Sequence, residues 1–327
     1  GMTLLLSRAE LERLLDVRSV IEAVERGFAD YAAGKVQMPA RTAVRLTDPP
    51  GVLLLMPCAM TESRALGTKL VSVFGQNPSR GLPTIGALYV LSDFETGFPV
   101  AVMDAGFITG LRTAAASAVA TRYLAREDSK TLGVFGTGVQ AEFHVLAIPP
   151  VRAVERILVW GSSPEKSRAF AEQMRGRVEA EIEPGESIEA VAGADIVVTG
   201  TTATTPLFAG RLVRDGAHVN GVGSHAATTR ELDAALVARS TVVVDTYEAA
   251  FAEAGDILLA IEEGAFSREQ VSAEVGEIVL GKKPGRQRPD EVTLFKSCGV
   301  AFEDAVTASL ALERARAGGV GTEFAFA

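Results

Sequence analysis

Two glycine-rich turns and three isolated cations are the residues in this chain whose types and spacing can do chemistry. Between 133 and 144 the sequence reads G-V-F-G-T-G-V-Q-A-E-F-H, which sets Gly136, Gly138 and Ala141 in the pattern G-x-G-x-x-A. The first glycine permits a tight turn. The second lets backbone approach a pyrophosphate, and the small third residue lets a helix pack closely on the preceding strand. Val139, Gln140 and Ala141 open that helix, whose unpaired N–H groups suit phosphate oxygens. The pattern closes one apolar run and five more follow, so a dinucleotide site is expected here rather than a structural turn.

A nicotinamide dinucleotide lacking a 2′-phosphate is usually held by an acidic residue about 20 residues further on. Here the second run ends I-L-V-W-G-S-S-P-E-K-S, with no carboxylate at its tip. Ser162 and Ser163 could accommodate a 2′-phosphate, with Lys166 or Arg168 nearby, so the reading leans to NADP and leaves NAD open. Thr201 and Thr202 end the fourth run and are expected on the nicotinamide side, with a helix cap as the alternative. Val222 and Gly223 lie in the second turn, V-N-G-V-G-S-H, which leads to His225, one of three histidines. His225 is a candidate for substrate or nicotinamide contact, with proton transfer or no chemical role as the alternatives.

The cations stand upstream. In G-T-K-L-V-S-V-F, Lys69 shares strand parity with Val71 and Val73, which puts it on the apolar side. Desolvation there lowers an amine pKa and makes it a usable acid or base near neutrality. Arg112 opens the Ala-rich run 111–126 and can hold a carboxylate through two parallel hydrogen bonds. Arg41, in M-P-A-R-T, is a second such candidate, its alternative being a solvated surface group. His144 and His218 read as packing residues, and Glu303 and Asp304 as capping charges of the last helix. Thr293 and Lys296 are possible cofactor-edge contacts only.

These residues need elements to position them. Ser7 with Glu10 forms a capping box, and Val20, Ile21, Val24, Phe28 and Tyr31 trace a second helix that ends at Gly34. From about 40 to 104, short β-rich runs alternate with D-P-P-G, N-P-S-R-G-L-P and D-F-E-T-G, the texture of an antiparallel sheet. From 131, apolar runs without alternation begin at 131, 156, 177, 195, 218 and 241, as in a parallel sheet covered on both faces. The expected fold is α/β: a Rossmann-type doubly wound parallel sheet plus a smaller α+β domain with an antiparallel sheet. The expected boundaries are 128–299 for the nucleotide domain, and 1–127 with 300–327, through a returning helix at 302–317, for the other.

The bulk numbers limit the partners. In 327 residues, 32 Lys and Arg stand against 41 Asp and Glu, a net charge of -9 that disfavours nucleic acid and anionic membrane surfaces. No run approaches the roughly 20 apolar residues of a membrane span. Gly1 before Met2 reads as an added residue, and no signal peptide is expected. Cys58 and Cys298 fit no metal or redox spacing, so no metal site is expected and the cytoplasm is the expected location.

The stretches M-P-A-R-T, G-T-K-L-V, G-L-P-T, D-F-E-T-G-F-P-V-A, L-R-T-A-A-A-S-A-V-A, G-T-G-V-Q-A, V-G-S-H…R-E-L-D, E-V-G-E-I-V-L-G and E-V-T-L-F-K-S-C-G together resemble the ornithine cyclodeaminase and mu-crystallin family, nearly end to end and in order. That family includes cyclodeaminases, an archaeal type of alanine dehydrogenase, ketimine and pyrroline-2-carboxylate reductases, and mu-crystallin. The resemblance implies a homodimer built through the antiparallel-sheet domain and an active site in the cleft between domains. It implies that Arg41, Lys69 and Arg112 hold a substrate carboxylate, with Lys69 also placed for proton transfer.

Two positions depart from the cyclodeaminase pattern. Leu54 stands where cyclodeaminases carry Glu, and His225 where they carry Asp. A cyclodeaminase must handle a diamine, for which carboxylates are the natural partners. The expectation is therefore an NAD(P)-dependent oxidoreductase acting on the C–N bond of a small α-imino or α-amino acid. An ornithine cyclodeaminase and a non-catalytic NADPH-dependent small-molecule binder remain as alternatives.

Overall fold

The computed structural model describes residues 1–326, Ala327 lying outside the described residues. It divides into two compact units, residues 1–112 with 300–327, and residues 113–299. In chain order the first stretch holds β1 (Met2–Leu6), α1 (Arg8–Leu14), α2 (Val17–Ala32), β2 (Val36–Gln37), β3 (Thr42–Thr47), β4 (Pro50–Met60), β5 (Ala65–Val73), β6 (Ile85–Ser92), β7 (Pro99–Asp104) and α3 (Gly106–Leu124). The middle holds β8 (Thr131–Phe135), α4 (Val139–Ala147), β9 (Arg156–Trp160), α5 (Pro164–Met174), β10 (Glu181–Pro184), α6 (Ile188–Ala192), β11 (Ile196–Thr199), β12 (His218–Gly221), α7 (Ala234–Arg239), β13 (Ser240–Val244), α8 (Tyr247–Glu253), α9 (Gly255–Glu262), β14 (Val271–Glu274), α10 (Val275–Val279) and β15 (Val292–Lys296). The chain closes with α11 (Ala301–Gly318) and β16 (Thr322–Ala325).

In the first unit the capping box forms as read. The Ser7 hydroxyl accepts from the Glu10 amide, and the Glu10 carboxylate accepts from the Ser7 amide. Asp16 caps α2, whose Val20, Ile21, Val24 and Phe28 are buried at helical spacing. The Phe28 ring meets Phe302 of α11 edge-on at 5.2 Å. The sheet runs β16-β1-β7-β6-β5-β4-β2, with β3 also on β4. Most pairs are antiparallel, but β1 runs parallel to β7, and neither β1 nor β16 carries an alternation that marks it as a strand. One face of the sheet, with Met56, Cys58, Lys69, Val71, Tyr89, Leu91, Ala101 and Met103, is buried. The other exposes Val44, Leu46, Leu70 and Leu88.

The Ala-rich helix starts earlier than its composition indicates, at Gly106, because the Asp104 carboxylate accepts from the Phe107 amide and sets its first turn. The two units divide inside this helix, at Arg112/Thr113, rather than after 127. Its C-terminal half is tied to the second unit: Ser117 hydrogen-bonds His144 at 2.8 Å, and Thr121 accepts from Asn220 at 3.0 Å.

The second unit holds eight parallel strands in the order β10-β9-β8-β11-β12-β15-β13-β14. Sequence texture marks six of them. Of V-E-A-E-I-E only the end, from Glu181, is strand. β15, V-T-L-F-K, inserts between β12 and β13 although it comes last of the eight in the chain. Its residues are buried throughout, and in the sequence its stretch stands out only within the family resemblance. No helix among the described residues is long and apolar enough to cross a membrane.

Candidate active site

The first unit gathers its cations on one buried carboxylate. Alternation along β5 leaves Leu70 39% exposed and Lys69 only 2%. The Lys69 ammonium donates to the Thr109 hydroxyl and to Asp304 Oδ1, each at 3.1 Å. Arg112 Nε donates to the same Asp304 oxygen at 2.9 Å, and its Nη1 lies 3.8 Å from Glu303 Oε1. Arg112 is in the body of α3 rather than at its start, because that helix begins at Gly106. Arg41 is half-buried in the segment between β2 and β3, and its charge reaches Lys69. The three cations named from sequence are therefore neighbours.

Burial pulls the Lys69 pKa down to about 8, Arg112 and Arg41 push the same way, and Asp304 pulls against them. Burial alone would raise the Asp304 carboxyl, but the Arg112 and Lys69 charges outweigh it and hold the group below the usual carboxylate range. Tyr89 and Cys58 share this face of the sheet. Burial, with the Asp304 charge behind it, pushes the Cys58 thiol up to about 12 and the Tyr89 hydroxyl well above its ordinary value, so both stay neutral. Leu54 pairs with Val71 and Met56 with Lys69, so Leu54 lies two residue pairs along from the lysine, on the same face.

Glu303 behaves as a capping charge, accepting from the Val300 amide at 2.9 Å. Asp304, given the same reading from sequence, instead organises the cluster. No local pattern could have revealed this, since its partners lie 235 and 192 residues away.

In the second unit, the first glycine turn has the geometry its sequence implies. Gly136 adopts φ +120°, and a Cβ there would come within 2.5 Å of the Gly200 carbonyl. Gly138 caps α4, and a Cβ on it would meet nothing within 4 Å. Ala141 is wholly buried, Val139 is 58% exposed, and the Gln140 side-chain oxygen is buried without a partner. A tight turn, an open backbone face and a fresh helix start fit a dinucleotide pyrophosphate. After β9, Ser163 caps α5 by accepting from the Lys166 amide at 3.2 Å. Ser162 and Lys166 are exposed, and Arg168 stands with Glu165 at 3.4 Å.

The loops after β11 and β12 are stitched together by Glu231, which the sequence reading did not single out. Its carboxylate accepts from the Thr201 amide and hydroxyl and from the Gly223 amide, at 2.8, 2.6 and 2.7 Å. Thr201 is thus no helix cap. A side chain at Gly223 would collide with the Thr201 carbonyl at 2.3 Å and with Glu231 itself. Val222 is buried, whereas Thr202 and His225 are exposed on their loops. Asp256 accepts from the Glu231 and Leu232 amides and pairs with Lys296 at 3.1 Å, while Lys296 also donates to the Ser224 carbonyl. Lys296 is wholly buried in this support. His218 hydrogen-bonds Thr293 and Asn220, and His144 hydrogen-bonds Ser117, so these two histidines pack the interior as expected.

A cavity of about 840 Å³ lies in the first unit beside α2 and α11, lined by Arg26, Asp30, Arg64 and Glu313 among others. None of the residues named from sequence lines it. Among the described residues, no group of three His, Cys, Asp or Glu is placed to hold a metal ion.

Residues 2–319 match the ornithine cyclodeaminase/mu-crystallin family. A Delta(1)-pyrroline-2-carboxylate reductase of Bacillus cereus is 38% identical over 325 residues, 99% of this chain and 100% of that protein. An alanine dehydrogenase of Archaeoglobus fulgidus is 35% identical over 325 residues, 99% of this chain and 98% of that protein. The structure of Thermococcus litoralis Delta(1)-pyrroline-2-carboxylate reductase in complex with NADH and L-proline superposes with a TM-score of 0.94 at 44% identity, covering 98% of this chain and 99% of that one.

Proposed function

Because the chain belongs to the ornithine cyclodeaminase/mu-crystallin family, we propose that it is an NAD(P)H-dependent reductase of a small, preferably cyclic, α-imino acid, working in reverse as an amino-acid dehydrogenase. The observation that carries the reading is Lys69: a buried amine beside two arginines, with a pKa near 8. Arg112 and Arg41 clamp the substrate carboxylate, and such orientation is worth several kcal/mol of barrier. Lys69, as the ammonium, gives its proton to the imine nitrogen and is left as the neutral amine, which takes a proton back from solvent. A reduced nicotinamide, when bound, would supply the hydride that reduction of the imine needs. Gly136, Gly138, Val139, Gln140 and Ala141 would hold its pyrophosphate, and Ser162, Ser163 and Lys166 would meet the adenosine ribose. Thr201, Thr202, Val222 and Gly223 line the nicotinamide side, with His225 touching substrate or nicotinamide. Without an acid at the ribose position, both NADH and NADPH are expected to serve.

Leu54 supports an imine substrate over a diamine, since the face that carries Lys69 offers no second carboxylate at that pair. The protein acts as a homodimer in the cytoplasm. The exposed apolar face carrying Val44, Leu46, Leu70 and Leu88 supplies the subunit contact.

The test incubates the protein with pyrroline-2-carboxylate or piperideine-2-carboxylate plus NADH or NADPH, and separately with ornithine plus NAD⁺. Loss of nicotinamide absorbance with the imines is expected. Ammonia and proline from ornithine, without net NADH, would replace this reading with cyclodeamination. Tight nucleotide binding with no turnover would replace it with a binding role.

A further inference from the structure

We infer that Asp304 is a positioning residue for the reaction: one carboxylate oxygen on α11 fixes both the proton-donating Lys69 and the carboxylate-holding Arg112. The inference rests on the reductase reading for what the two cations do, but its geometry stands apart from it. Asp304 is wholly buried, and a single oxygen, Oδ1, accepts from Lys69 Nζ at 3.1 Å and from Arg112 Nε at 2.9 Å. Sharing one acceptor fixes the spacing between the two cations, which would otherwise repel. A buried carboxylate normally stands opposite one cation; this one has two, so it offsets only part of their charge. The second oxygen, Oδ2, is buried without a partner, so every hydrogen bond seen on this carboxylate is spent on the pair.

The arrangement also sets where the amine titrates. The groups that face Lys69 are Thr109 and Arg112 from α3, Asp304 from α11 with Glu303 beside it, Arg41 from the segment before β3, Tyr89 from β6 and Cys58 from β4. Tyr89 and Cys58 remain neutral through the working range. Asp304 is the anion that directly bonds the amine, so it opposes burial and the two arginines.

Asp304→Asn keeps the shape and removes the charge. The amine then meets the arginines with less opposition, and its pKa falls further below about 8. A smaller fraction is ammonium at a given pH, so the alkaline limb of imine reduction moves to lower pH, by on the order of one unit. The maximal rate falls about 10–100-fold, as a proton donor loses its placement.

Two readouts separate the inference from the function it rests on. The first is the pH titration of the Lys69 ε-methylene by NMR on lysine-¹³C-labelled protein, in wild type and Asp304→Asn, with the signal assigned by its absence in Lys69→Arg. The second is the pH profile of kcat and KM with pyrroline-2-carboxylate. A lower Lys69 pKa in the variant, with the alkaline limb displaced to match, is the expected result. An unchanged Lys69 titration overturns the inference, even if thermal stability drops. Inactivity of the wild type toward every imine sinks the reductase reading and leaves the NMR comparison to decide Asp304. Should Asp304→Asn fail to fold, Asp304→Glu retains the charge one methylene out of place. A fall in kcat with an unmoved alkaline limb then supports positioning, and an unaltered kcat overturns it.

Discussion

Lys69 and Lys296 are both out of water, and each lies 3.1 Å from an aspartate oxygen, yet their surroundings drive them apart. Around Lys69, Arg112 shares the one bonded aspartate, Arg41 adds a further positive charge, and burial wins: the amine is drawn down to about 8. Around Lys296, burial also disfavours the ammonium, but the charges of Asp256, Cys298 and Glu231 outweigh it and raise the pKa. The aspartate contact is the same; the balance of other charges differs. A lysine held firmly charged is a structural strut, whereas one poised near neutrality can exchange a proton within a catalytic cycle. In this family member, the strut braces the loops of the nucleotide unit and the poised lysine sits in the other.

The largest effect that would break the comparison is on rate. Lys69→Met should cut imine reduction by about 10²–10⁴-fold, the usual worth of a positioned acid. Nucleotide affinity, measured by fluorescence titration, should be unchanged. Retained turnover would remove Lys69 from the mechanism and make the two lysines alike in being structural.

Next comes stability. Lys296→Met leaves Asp256 buried beside Glu231 with the lysine charge gone, which should cost about 3–5 kcal/mol, read by denaturant unfolding. Lys69→Met should cost less, because Asp304 keeps its bond to Arg112. Equal losses would mean that both aspartates depend on their lysines to the same degree, and that the charge balance does not distinguish the sites.

The two lysines also differ in how much of their role could be read in the chain. Lys69 announces itself, because a charge at the apolar parity of a strand is a local anomaly. The glycine turn does too, since Gly136 and Gly138 meet conditions set within a few residues. Asp304 and Glu231 do not. Each looks like an ordinary acid near a helix, and its meaning comes from partners on other elements, as far as 235 residues away for Asp304. The same limit hid β1 and the edge strand β16, neither of which alternates, and the insertion of β15 into the middle of the parallel sheet. Local pattern specifies faces and turns. Long-range pairing decides which buried charges meet.

The smallest effect sharpens the comparison by making the Lys69 site more like the Lys296 site. Leu54 lies two residue pairs along from Lys69 on the same face of the sheet, so Leu54→Glu places a second carboxylate within reach of the lysine and its arginines. The added anion favours the ammonium, so the Lys69 pKa rises and the alkaline limb of imine reduction moves to higher pH, on the order of one unit. This is the opposite sign to Asp304→Asn, and both shifts are read from the same pH profile. An unmoved limb would mean that the new carboxylate turns away or takes up its own proton. Combining Leu54→Glu with His225→Asp restores both acids that the cyclodeaminase pattern carries, and a measurable release of ammonia from ornithine is expected. If none is released, the identities of residues 54 and 225 are not what separates reduction of an imine from cyclisation of a diamine, and the difference must lie in how the substrate side chain is enclosed.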